Sequence, residues 1–247
     1  MGPRRLAVVA SMLLSICGAG GCASLPAGSV RDPRDHFERF NRAMWKLDTS
    51  LDHAVMRPVA RGYVRQVPAP VRTGVGNFLA NLGYSRTIGN DLLQGRVRDF
   101  ARDLARLVVN TTVGVGGLFD PAQTLGLVRH ERDFGQTLGR WGVPTGSYLV
   151  LPLFGPTDVR DAVGALPDRW MTVDGNLDDT TLNVSLFSAR TIDGRAKALP
   201  ADGTVDSAYD PYAFVRSAWF QLRDYEVHAG KGDYIPSLAP LDPGDGK

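Results

Sequence analysis

Cysteine is almost missing from this chain. Its 247 residues hold two, Cys17 and Cys22, both near the N-terminus. The body therefore has no internal disulfide and no thiolate for a metal or a nucleophilic mechanism. Histidine is nearly as scarce, and His36, His53, His130 and His228 show neither metal-ligand spacing nor an HExxH pattern. Ser147 follows Gly146 without a G-x-S-x-G elbow, so a lipase of that kind has no support. Gly114-Val115-Gly116-Gly117 follows a helical pattern and has Phe119 where a dinucleotide loop needs its last glycine. Asp158, Arg160 and Asp161 read as structural pairing, with nothing arranging them as an acid–base couple. The chain reads as a non-enzyme.

Net charge is lacking too. The formal value is +2, and loss of Arg4 and Arg5 with a leader would bring it to balance. No basic block or aromatic–basic interleaving points to nucleic acid. Nor does any apolar run reach the roughly 20 residues that cross a bilayer core as a helix.

What is present begins with a leader over residues 1–21. Arg4 and Arg5 precede the apolar run Leu6 to Cys17, then Gly18-Ala19-Gly20-Gly21 lead to Cys22. Small residues before a cysteine resemble a lipobox, so Cys22 is the expected site of diacylglycerol and acyl (palmitate) attachment. Ala19 stands where leucine is usual. Two or three acyl chains hold a protein on a membrane, at about 0.8 kcal/mol per buried methylene. Ala23 follows instead of the aspartate that retains enteric lipoproteins at the inner membrane, which points to the outer membrane. Residues 22–33 read as a lipidated tether, 34–230 as one helical domain and 231–247 as a Pro/Gly-rich disordered tail.

Within the domain, Phe37, Phe40, Met44, Leu47 and Leu51 form a helical stripe, with Asp32-Pro33 expected at its start. Val55, Val59, Tyr63 and Val67 lie opposite Arg57, Arg61 and Arg65 on the next helical pattern. That arrangement suits an interfacial helix beside anionic lipid heads, and equally a plain surface helix. Pro68 and Pro70 break the chain, and Val71 to Leu82 and Val97 to Val108 suggest further helices. The second carries Arg98, Asp99, Arg102, Asp103 and Arg106 on a face read as solvated. Frequent glycine and proline predict short, punctuated helices. Two uncharged stretches, Leu107 to Phe119 and Trp141 to Thr157, suit a buried core or a membrane-dipping element. Asp210-Pro211-Tyr212 opens a last helix. Period-two alternation is rare, so the fold class is mainly α.

Taken in order, these pieces resemble the MlaA/VacJ family of outer-membrane lipoproteins. The resemblance rests on Phe37-Glu38-Arg39-Phe40-Asn41-Arg42, Arg57-Pro58-Val59-Ala60, Asn77-Phe78, Leu93-Gln94-Gly95 and Asn110-Thr111-Thr112. It continues through Asp133-Phe134-Gly135-Gln136-Thr137-Leu138-Gly139, Gly146-Ser147-Tyr148, Gly155-Pro156 and Asp210-Pro211-Tyr212. It implies a ring-like, membrane-embedded domain of short amphipathic helices beside trimeric porins. Such proteins remove phospholipid misplaced in the outer leaflet and hand it to a periplasmic carrier, which serves an inner-membrane ABC-type transporter. No cofactor is implied beyond the lipid on Cys22. Phe40, Asn41, Arg42, Arg57, Arg61 and Arg65 are candidates for the lipid path, the arginines because guanidinium suits phosphate. Gly139, Gly142 and Gly146 are candidates for a flexible hairpin. A porin-docking lipoprotein that moves no lipid, and an envelope lipase, are the alternatives.

Overall fold

The computed structural model describes residues 32–228. The leader, Cys22, most of the tether and the C-terminal tail lie outside them. Helix α1 (Glu38–Leu51) runs through one π-helical segment (Asp52–Met56) into α2 (Arg57–Gln66). The wide turns fall just before Pro58, whose ring would meet the carbonyl of residue 54 in a regular helix. Pro68 and Pro70 separate α2 from α3 (Ala69–Leu93), with proline in the first turn of the new helix. Then come α4 (Val97–Thr112), α5 (Pro121–Thr124), α6 (Phe134–Arg140), a hairpin of β1 (Tyr148–Leu151) and β2 (Gly155–Asp158), and α7 (Val159–Met171). The series ends with α8 (Thr180–Ala198), α9 (Asp202–Asp206) and α10 (Pro211–His228).

Neighbouring elements close a circuit. From α1 it passes through the π segment to α2, α8, α3, α7, α6 and α10, then through the hairpin back to α1. This is the ring expected of a mainly α domain, with a two-stranded antiparallel sheet that the sparse period-two signal did not announce.

Three expectations change. Asp32-Pro33 does not open α1. Asp32 instead accepts from Arg34, whose carbonyl accepts from Tyr148 N, and the segment runs in turns until Glu38. Helices are not all short, because α3 has 25 residues despite four glycines. Two of these sit where neighbours crowd in. A Cβ at Gly76 would lie 2.7 Å from Lys197 Nζ, and one at Gly89 3.2 Å from Met171 Sδ. Helix propensity is given up there for close packing.

The third change is the largest. The charged face of α4 is solvated only in part: Arg98 and Arg102 are exposed, but Asp103 is fully buried and Arg106 and Asn110 nearly so, while Leu104, Val108 and Val97 face outward. The whole molecule follows this inversion. Its hydrophobic core cluster is small, Tyr148, Val150, Tyr212 and Phe220. Much of the interior is instead ion pairs. Asp35 accepts from Asn41 Nδ2 (2.8 Å), Tyr212 OH (2.5 Å) and Arg216 Nη1 (2.7 Å). Arg42 joins Glu38 (2.9 Å) to Asp210 (2.6 Å). Arg223 joins Asp133, Asp161 and Glu226. Only Lys46, Lys197, Lys231 and Lys247 among the basic residues are lysine, in keeping with guanidinium's ability to grip two carboxylates at fixed angles.

Candidate functional site

Two features could meet a ligand: exposed apolar side chains on the outside of the molecule and a cleft between two of its helices. Outside, Trp170 and Phe154 are each 73% exposed, Val113 69% and Phe119 65%. They belong to α7, the hairpin tip and the turn after α4, and this last turn is the end of the first uncharged stretch. Large contiguous apolar exposure marks a surface that meets lipid or protein. Among the described residues no helix is long and apolar enough to cross a membrane.

The cleft, of about 280 Å³, opens between α3 and α8. Gly76, Ala80 and Gly83 form its floor on α3, and small side chains there leave the volume open. Arg86, Arg129, Arg190 and Lys197 supply positive charge, against Glu131 and Asp193. The cleft continues past Tyr84 and Arg129 into a small polar cavity lined by Asn77, Asn81, Asn110 and Asp120. Arg106 ties Asp120 to the carbonyl of Leu127 there.

The strand of loop that carries Arg129 and Glu131 is pinned by buried acids. His130 Nδ1 lies 2.9 Å from Asp103, Tyr84 OH donates to Asp103 at 2.8 Å, and Arg132 Nε is 3.6 Å from Asp91. Burial, then the neighbouring Asp103 carboxylate, holds the Asp91 carboxyl well above the usual range. The Tyr84 phenol is raised for the same two reasons.

None of the candidates from the sequence lines this cleft. Asn41 is fully buried and staples the hairpin, donating to Tyr148 O (2.9 Å) and accepting from Val150 N (3.0 Å). Arg42 is engaged by Glu38 and Asp210, and Arg57 by Asp52, Asp202 and Asp206. Their guanidinium groups hold helices together. Arg61 and Arg65 are exposed and make no ion pair with the described residues, and Phe40 is half-buried. Gly139 lies within α6, where a Cβ would stand 2.7 Å from Arg160 Nη1, so it is a packing glycine and not a hinge. Gly142 and Gly146 do take positive φ, +93° and +75°, in the loop before β1. The hairpin itself is docked, with Leu153 N donating to Asp48 (2.9 Å) at its tip.

Sequence reading missed the cleft's basic residues, Arg86, Arg129, Arg190 and Lys197. They come from three separated segments, and no spacing marks them. It also missed that Ser147 Oγ lies 3.0 Å from His36 Nδ1. No carboxylate among the described residues bonds the other ring nitrogen of His36, so the pair lacks the third group of a triad.

A ring of helices with ion pairs within, apolar side chains without and a basic cleft between defines a class: helical proteins that work at a lipid surface. Comparison with known proteins narrows this. The MlaA lipoprotein family model matches residues 33–226, and the chain belongs to that family. It is 32% identical over 233 residues to the intermembrane phospholipid transport system lipoprotein MlaA of Haemophilus influenzae, covering 90% of this chain and 91% of that one. Identity to the protein of the same description from Escherichia coli K12 is 36% over 216 residues, 85% of each. A solved structure described as "Structural basis for maintenance of bacterial outer membrane lipid asymmetry" superposes with a TM-score of 0.72 at 34% identity, covering 80% of this chain and all of the other. The chain is thus similar to envelope proteins of lipid transport.

Proposed function

We propose that this protein removes mislocalised phospholipid from the outer leaflet of the outer membrane and passes it to a periplasmic carrier for return to the inner membrane. One observation carries the reading: a net-basic cleft between α3 and α8, in a ring of helices that leaves large apolar side chains exposed. A phospholipid in transit needs a wet, charged path for its head and an apolar edge for its tails, and backbone at membrane depth must be satisfied internally. Helices whose apolar faces point outward provide both. Lipid on Cys22 tethers the ring to the outer membrane, and the apolar rim seats it there, beside a trimeric porin. The periplasmic carrier then supplies an inner-membrane ABC-type transporter. No step requires the protein to hydrolyse its cargo.

The exposed aromatic rim also favours a second reading, in which the protein only docks on a porin. Mass spectrometry of lipid co-purifying with the mature protein separates the two, together with a leaflet assay in a deletion strain. Stoichiometric intact phospholipid, and surface phospholipid accumulating on deletion, are expected. Bound porin without lipid would favour docking, and lyso-products on incubation would redirect attention to Ser147 and His36.

A further inference from the structure

Three of the four basic side chains in the cleft already have counter-ions. Arg129 pairs with Glu131 and Lys197 with Asp193, both at 2.6 Å, and Arg190 with Asp174. Arg86 has none. Its Nε is buried without a hydrogen-bond partner, and its guanidinium makes no ion pair with the described residues. Asp133 and Asp168 sense its charge, yet both are taken. Asp133 accepts from both terminal nitrogens of Arg223 (2.8 and 2.9 Å), and Asp168 from Phe134 N (2.9 and 3.0 Å) and Asn90 Nδ2 (3.0 Å). Among the four basic side chains of the cleft, Arg86 is the half-buried cation without a bonded partner. Its terminal nitrogens are not sealed off and make no hydrogen bond with the described residues, so an anion in the cleft can reach them.

The geometry selects among anions. Guanidinium presents two parallel N–H groups, the fork that phosphate oxygens accept. At about 280 Å³ the cleft falls at the small end for a whole ligand, so it suits a head group with tails left outside. Its two carboxylates, Glu131 and Asp193, are committed to Arg129 and Lys197, so neither is free to balance an ammonium on the ligand. Resting on the transport reading above, we propose that Arg86 binds the phosphodiester of a phospholipid head group, and that the cleft favours a net-anionic head group over a zwitterionic one.

The test uses the full-length lipidated protein in detergent, loaded from vesicles of equal phosphatidylglycerol and phosphatidylethanolamine, with bound lipid quantified by mass spectrometry. Phosphatidylglycerol is expected to be enriched. In Arg86→Gln that enrichment should disappear and bound lipid should fall about tenfold, the loss of one charge-assisted interaction, with an unchanged unfolding midpoint. Arg86→Lys, which keeps charge but not the fork, should fall between. Unchanged lipid content and ratio in Arg86→Gln overturns the assignment while leaving the transport reading intact. A wild-type protein that takes up no lipid overturns both. Titration with inorganic phosphate, followed by phosphorus NMR, separates the sources. Arg86-dependent phosphate binding with lipid loading unaffected would make this a free-phosphate site and refute the lipid assignment.

Discussion

Replacing Arg223 by methionine tests whether ion pairs, more than apolar contact, hold the ring closed. Arg223 on α10 reaches Asp133 at the start of α6, Asp161 on α7 and Glu226 on its own helix. The distances are 2.8, 2.6 and 2.6 Å, with the Asp161 contact ionic and not of hydrogen-bond geometry. Its side chain is 7% exposed and that of Asp161 9%. Methionine keeps much of the volume but removes the cation that the three carboxylates share, leaving Arg160 beside Asp161. Breaking one buried pair costs about 3–5 kcal/mol, a large part of the roughly 5–15 kcal/mol that stabilises a domain. Acid should partly rescue the variant. In the wild type Arg223 holds Asp133 below the usual carboxylate range against the opposing effect of burial, so that stabilisation is present above about pH 4 and lost as pH falls through the lowered value. Without Arg223 the Asp133 and Glu226 carboxyls lose the charge that lowers them, and protonating them relieves the fold, so the variant gains stability between about pH 7 and 5. Denaturant unfolding in detergent, followed by circular dichroism at both pH values, measures each effect, with exposed Arg61→Met as the control. A loss under about 1 kcal/mol, or no gain on acidification, would refute an ion-paired core.

Three further outcomes are expected. Asp91→Asn keeps the shape of a carboxyl whose proton the fold holds tightly; since a raised acid loses stability as pH climbs from about 4 through its folded value of about 8, the variant should match wild type below about pH 4 and exceed it by a margin that grows to several kcal/mol, roughly, by pH 8. Equal differences at the two pH values would count against it. Gly164→Ala places a Cβ 2.7 Å from the backbone nitrogen of Gly135, so α7 must move off α6, at a cost of about 1–3 kcal/mol by thermal or denaturant unfolding; an unaltered midpoint would show that the contact is looser. Cys22→Ala should mislocalise yet still float with vesicles, and adding Trp170→Glu should cut that partitioning about tenfold, as loss of a buried aromatic predicts. A Cys22→Ala protein that stays wholly in the aqueous phase sinks the seated-ring reading.

The helices were legible because their stripes are strong. Asp210-Pro211 opens α10, with Asp210 accepting from Ala213 N, and Pro68 and Pro70 separate α2 from α3. Orientation was not legible. Amphipathic periodicity says that Asp103 and Leu104 face different ways, but not which way is in, and a lipid exterior reverses the usual answer. The interior of α4 was therefore misread from a correct pattern. Asp32-Pro33 failed as a cap because the partner that holds this segment out of the helix, Tyr148, is more than a hundred residues away. The cleft stayed hidden for the same reason, since Arg86, Arg129 and Arg190 meet only when the ring closes.

A core written in opposite charges also constrains how the molecule can drift. An oily interior accepts change one residue at a time, because leucine for methionine is a small adjustment. At Asp35, which serves Asn41, Tyr212 and Arg216 together, a lone substitution disturbs all three, and residues sharing one network do not change independently. Relatives that have moved away from this arrangement should have done so in concert, with a carboxylate lost on one element matched by an arginine lost on another. Paired substitutions across the ring would then map its closure more faithfully than any single position does.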